Sequence, residues 1–148
     1  MRICGSLMTL WLTMAGIGDV KVSKILKKRT KKDFGDVDVL AWNPSEKIVY
    51  LVECKDLEFA KTHGEIAKQI YEFRGLTKSD GKPDRLKKHM DRFLVLNENI
   101  DQLRDYLKLE SINELKVMLL FRQTVPVSYD NSESDIPVTV GFFDELNV

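Results

Sequence analysis

Two apolar segments, Asp36 to Trp42 (DVDVLAW) and Ile48 to Cys54 (IVYLVEC), flank the stretch Asn43-Pro44-Ser45-Glu46-Lys47. Both are rich in β-branched residues, and the first opens with the period-two alternation of a strand. Pro44 presets a turn and cannot continue a ladder. The two segments therefore predict an antiparallel hairpin, which restricts the fold more than any other feature of the chain. With Pro44 to Lys47 as the loop, Asn43 pairs with Ile48 and paired positions sum to 91. Asp38 then falls opposite Glu53, and Asp36 opposite Lys55. Alternation places these four side chains on one face and Val37, Val39, Val52 and Cys54 on the other. Leu40, Trp42, Val49 and Leu51 continue the first face toward the turn.

Carboxylates placed opposite each other repel unless something positive lies between them. Lys55 alone is one solution, giving a cross-strand salt-bridge cluster turned to solvent. A bound divalent cation is another. Oxygen donors without a thiolate or imidazole nearby favour Mg²⁺ or Mn²⁺ over zinc. A metal held by few carboxylates keeps open positions, as phosphoryl chemistry requires.

The rest of the chain supplies context. Its 148 residues carry 23 basic and 23 acidic side chains, which argues against a histone-like protein and against an acidic disordered tail. Two cysteines, Cys4 and Cys54, and two histidines, His63 and His89, are too few for a disulfide framework or a histidine-rich metal site. A cytoplasmic setting and no membrane association are the expectation. Residues 1–19 read as an apolar helix or the remnant of a longer chain. Their outline is also that of a weak signal peptide, too short to span a bilayer. Residues 20–148 read as one domain. Val20 to Leu26 reads as an edge strand within a basic run of Lys21, Lys24, Lys27, Lys28, Arg29, Lys31 and Lys32, which suits phosphate contact or a solvated face.

Thr62-His63-Gly64-Glu65 matches a capping box. It predicts a helix that carries Ile66, Ile70 and Phe73 on one face and ends at Gly75. Helices follow over Leu86 to Leu94 and Ile100 to Leu107. Lys116 to Phe121 (KVMLLF) is a buried strand, and Pro137 to Phe143 a last one. Three strands with short connections form an antiparallel meander, and a strand returning after helices can lie parallel to one of them. The expected fold is an α/β, or α+β, three-layer domain with a central mixed sheet.

The pattern GDVDVLAW, a short loop and IVYLVECKD resembles the core of the PD-(D/E)XK, or restriction-endonuclease-like, nuclease superfamily. The wording is nearest the archaeal-type resolvase and Mrr-like branches. Asp38 matches the first acid, Glu53 the second and Lys55 the lysine, with fourteen residues between Asp38 and Glu53. Gln69 and Phe73 are similar to a Gln-x-x-x-Tyr motif of some branches, with phenylalanine in place of tyrosine. Residues 1–18 hold no acid that would match the extra helix carboxylate of many relatives.

The resemblance implies a restriction-endonuclease-like core and a Mg²⁺- or Mn²⁺-dependent endodeoxyribonuclease in restriction, defence or repair. It implies Asp38 and Glu53 as metal ligands, with Lys55 and Gln69 completing the catalytic set. Lys55 would orient the attacking water or stabilise phosphorus oxygens. Asp36 would hold Lys55, serve as a substitute ligand or pair structurally. The alternative is an inactive nucleic-acid-binding or protein-interaction module of the same fold. Nucleic acid, with DNA the expected form, is the partner, and a homodimer or further domains are compatible with the sequence. Cys54 and Trp42 read as core. His89, beside Arg85, Lys87, Lys88 and Arg92, reads as plain surface on a helix that offers phosphate contacts.

Overall fold

The computed structural model of the chain describes residues 15–28, 30–125 and 138–143. The hairpin forms in the expected register. β2 (Asp36–Asn43) and β3 (Ile48–Lys55) pair antiparallel from Asn43 with Ile48 to Val39 with Val52. The turn is built by Asn43. Its Oδ1 accepts the Ser45 amide at 3.0 Å and the Ser45 hydroxyl at 2.7 Å, while its carbonyl accepts the Lys47 amide at 2.9 Å.

The segment before the hairpin differs from expectation. β1 is Ala15–Lys21 and pairs antiparallel with β2, with Ile17 opposite Leu40 and Val20 opposite Val37. The helix expected over residues 1–19 thus gives way to a strand from Ala15, and residues 1–14 lie outside the described residues. Gly16 and Gly18 weaken a helix there, and Gly18 passes so close to the Asp38 carbonyl that a Cβ would lie 3.2 Å from it. The strand expected over Val20 to Leu26 is found only at Val20 and Lys21, the end of β1, and the rest forms a short helix, α1 (Val22–Leu26). Val22, Ile25 and Leu26, at helical spacing, are its buried residues. Lys21 is exposed at the end of β1, Lys24 is exposed on α1, and Lys27 and Lys28 are exposed just after it.

The second half follows the predicted order. α2 (His63–Tyr71) is opened by the Thr62–Glu65 capping box. It stops at Tyr71 rather than at Gly75. Gly75, with φ of 78°, serves a later turn, where a Cβ would meet Met90 Sδ at 3.0 Å. α3 (Arg85–Glu98) is capped by Asp84, and α4 (Ile100–Leu107) follows at once. β4 (Glu114–Phe121) then returns parallel to β3, with Glu53 beside Leu119 and Lys55 beside Phe121. β5 (Val138–Phe142) lies parallel to β4. The result is an α+β fold with a five-stranded mixed sheet in the order β1-β2-β3-β4-β5 and, among the described residues, four helices.

The helices cover one face of the sheet. Ile25, Leu96, Leu103 and Leu107 pack on Leu40, Val49 and Leu51. Phe73, Leu86 and Met90 pack on Leu119 and Phe121, with the Phe73 and Phe121 rings edge to face at 5.3 Å. On the opposite face Val39, Ala41, Val52, Met118 and Leu120 form a separate buried cluster. The layer expected over that second face is not among the described residues. Trp42 is half-buried against the helix-side core, as expected.

Candidate active site

β2 and β3 part company at Asp38. The β2–β3 ladder ends at Val39 with Val52, the β1–β2 ladder skips Asp38, and the residue facing it on β1, Asp19, has φ of 52°. A strand whose main chain loses its partners must satisfy them otherwise. Here the Asp38 carboxylate accepts the Cys54 amide through Oδ2 at 2.8 Å. The opening breaks the side-chain alternation assumed from the sequence. Val37 joins Val20, Val22 and Ile25 on the helix side rather than Val39 and Val52. Asp36 is exposed and paired in the ladder with Lys21, and makes no ion pair with Lys55, which corrects the expected Asp36–Lys55 partnership.

Asp38, Glu53 and Lys55 do converge. Glu53 is 5% exposed and its Oε1 binds Lys55 Nζ at 2.6 Å. Its Oε2 accepts from the Arg92 guanidinium at 2.8 Å. Burial, reinforced by the nearby Glu53 charge, raises the Asp38 carboxyl above its ordinary range against the pull of the Cys54 amide, Lys55 and Arg92. Cys54 lies on the other side of β3, half-buried against the second-face cluster, and the described residues include no free cysteine.

Two residues of α3 also belong to this site, against the expectation of a surface histidine and a phosphate-contacting arginine. His89 is 1% exposed, not a surface residue. Its Nε2 donates to the Met118 carbonyl at 2.9 Å, which fixes that nitrogen as the protonated one. Its Nδ1 is buried, has no hydrogen-bond partner among the described residues and stands 3.8 Å from Glu53 Oε2. Burial pushes the imidazole down to about 4, so His89 is neutral at neutral pH. Arg92, at 12% side-chain exposure, donates through Nε to the Phe34 carbonyl at 2.7 Å and through Nη1 to Glu53. A readable signal existed. His89 follows Leu86 by three residues and precedes Phe93 by four, on the apolar stripe of α3.

Gln69 is not brought to the Asp38–Glu53 pair by any contact described. Its Nε2 donates to the Glu58 carbonyl at 2.7 Å, and its Oε1 is buried without a partner among the described residues. It ties α2 to the loop after β3, beside a groove of about 420 Å³ that Leu57, Phe59 and Lys68 also line.

The donor set bears on the expected metal. Among the described residues no group of three or more His, Cys, Asp or Glu side chains is placed to hold an ion. Asp38 and Glu53 offer hard oxygens in a half-buried place, and the strain on the Asp38 carboxylate is what a cation would relieve. These two ligands fit a Mg²⁺ or Mn²⁺ ion whose other positions are filled by water or substrate oxygens, and they do not suit zinc. Lys55 and Arg92 bring positive charge to the pair, and Arg92 lines a cavity of about 220 Å³ with Lys32 and Lys88. Lys24, Lys27 and Lys28 are exposed in and after α1. No helix among the described residues is long and apolar enough to cross a membrane.

Comparison with known proteins adds one result. A family model described as Upx-like anti-phage protein matches residues 10–147. No curated protein and no solved structure matches the chain. The match spans nearly all of the sequence, including both strands of the hairpin and the helix that carries His89 and Arg92, and the chain belongs to the Upx-like family of anti-phage proteins.

Proposed function

We propose that this anti-phage protein acts as a metal-dependent nuclease that hydrolyses phosphodiester bonds of DNA, with Asp38, Glu53 and Lys55 at its centre. The observation that carries the reading is the parting of β2 and β3 at Asp38. It delivers two carboxylates and a lysine to one half-buried place at the strand ends, beside cationic surface. The resemblance of GDVDVLAW and IVYLVECKD to PD-(D/E)XK nucleases supports the same assignment. Destroying invading DNA is a direct route to phage resistance, which fits the family.

Asp38 and Glu53 would hold Mg²⁺ or Mn²⁺, which when bound supplies Lewis-acid charge and a more acidic water. Lys55, at 25% side-chain exposure, reaches solvent from its bond to Glu53 and can turn its ammonium to a phosphate oxygen. The Cys54 amide fixes the rotamer of Asp38. Neutral His89 cannot neutralise a phosphate, and its donor is already bound to Met118, so it shapes the floor of the site without supplying charge. Gln69 steadies the loop that follows Lys55.

One observation favours a second reading. Both Glu53 oxygens already carry a cationic partner, as in a structural cluster that binds nucleic acid without cutting it. Incubation with single- and double-stranded DNA and RNA in Mg²⁺ or Mn²⁺ separates the two. Metal-dependent cleavage lost in Glu53→Gln supports the nuclease. Binding without cleavage of any substrate supports the inactive module.

A further inference from the structure

Glu53 is gripped from two sides, by Lys55 on Oε1 and by Arg92 on Oε2. Arg92 is itself pinned, since its Nε donates to Phe34 in the loop that enters β2. The side chains close on themselves: the two carboxylates, Asp38 and Glu53, are matched by two cations, Lys55 and Arg92, both bound to Glu53. A place built only to hold a divalent cation would keep an excess of carboxylate. Here an added divalent ion would leave net positive charge in half-buried surroundings, where the Coulomb cost is high. A phosphate group restores the balance.

The far side of Arg92 shows where that phosphate would sit. The guanidinium lines the cavity of about 220 Å³ together with Lys32 and Lys88. Two carboxylates also line the cavity: Asp91 is engaged by Lys32 and Lys87, and Asp33 accepts the Gly35 amide at 2.9 Å, while Lys88 makes no ion pair among the described residues. An oxyanion entering there meets Lys88 and one edge of Arg92.

We infer that Arg92 makes divalent-cation binding at Asp38 and Glu53 conditional on a phosphate: an oxyanion in the cavity competes with Glu53 for the guanidinium and releases Oε2 as a metal ligand. Arginine suits this exchange because its planar fork can hold a phosphate in place of a carboxylate. Arg92 is thus a positioning residue, acting through Glu53. By linkage, phosphate tightens the metal and the metal tightens phosphate by the same factor. Cation held without a target is thereby kept scarce. The inference rests on the nuclease reading.

The test is Mn²⁺ binding, followed by the EPR signal of free Mn²⁺, without nucleic acid and with a short DNA duplex. Asp38→Ala gives the background of ions held elsewhere, including on the duplex. Without duplex, Arg92→Gln should bind Mn²⁺ at least about tenfold more tightly than wild type, and Arg92→Lys, which keeps the charge, should stay close to wild type. The duplex should tighten wild type by about tenfold and Arg92→Gln by distinctly less. Equal Asp38-dependent affinity in wild type and Arg92→Gln overturns the role of Arg92 and leaves the nuclease reading standing. Should Arg92→Gln lack a cooperative urea transition, wild type alone decides, and a duplex that leaves its Asp38-dependent affinity unchanged overturns the inference. Absence of Asp38-dependent Mn²⁺ binding in every protein, with or without duplex, removes both the inference and the reading beneath it.

Discussion

His89 makes the acid stability of this protein calculable. The imidazole is 1% exposed and is held down to about 4, against about 6.5 for an unfolded histidine. Between those values the unfolded chain takes up a proton that the folded chain refuses. The contribution of neutral His89 is therefore complete above about pH 6.5 and is lost as pH falls toward about 4. A gap of roughly 2.5 units at 1.36 kcal/mol each amounts to about 3 kcal/mol, a large part of the stability of a domain this size. His89→Gln removes the titration while keeping a donor within reach of the Met118 carbonyl. Urea unfolding of both proteins from about pH 7.5 down to about pH 4.5 should show wild type losing roughly 2 to 3 kcal/mol more than the variant. Parallel pH profiles would refute the reasoning, because they would mean that the imidazole already takes up its proton in the folded state.

Three further outcomes follow from the site. Asp38 is raised above its ordinary range by burial and by Glu53, so the stability it contributes is present while it is protonated and lost as pH rises through its folded value. Asp38→Asn, which still accepts the Cys54 amide, should therefore raise the urea midpoint at neutral pH while ending metal binding, and a lowered midpoint would contradict this. Lys55→Ala removes a partly exposed partner and should cost about 1 kcal/mol in urea, while single-turnover cleavage falls by about a thousandfold or more. Cleavage reduced only in proportion to the folded fraction would return Lys55 to a structural role. Lys27→Gln with Lys28→Gln should weaken DNA binding alike for all sequences and flatten its logarithmic salt dependence by about one unit per lost phosphate contact, and an unchanged slope would make these lysines a solvated surface.

Local chemistry made much of this molecule legible. Asn43, Pro44 and the valine-rich flanks set the hairpin register, and Thr62 with Glu65 announced the start of α2. The register also predicts that Asp38, Glu53 and Lys55 meet, and they do, although the ladder itself ends at Val39. What failed was the assumption that alternation continues past Val39. Strand parting depends on Asp19 adopting φ of 52° and on the Asp38 carboxylate taking the place of a main-chain acceptor, and neither has a periodic signature. Unbroken alternation therefore pairs Asp36 with Lys55, whereas Lys55 binds its own strand neighbour Glu53. Arg92 and His89 were hidden by their surroundings. Lys87 and Lys88 give α3 the look of a solvated helix, while hydrophobic spacing alone puts His89 on the buried stripe. The capping box puts Gln69 on the right helix, but spacing along a helix does not say which loop its amide meets.

Plasmid cleavage under single-turnover conditions, wild type beside Asp38→Ala, in Mg²⁺ and in chelator, bears most directly on the claim that Asp38, Glu53 and Lys55 form a hydrolytic centre. The account predicts nicked or linear products from wild type in metal only, and none from Asp38→Ala, with both proteins folded by their urea transitions. Intact plasmid with wild type in Mg²⁺ and Mn²⁺ alike, or equal cleavage by the two proteins, would contradict it.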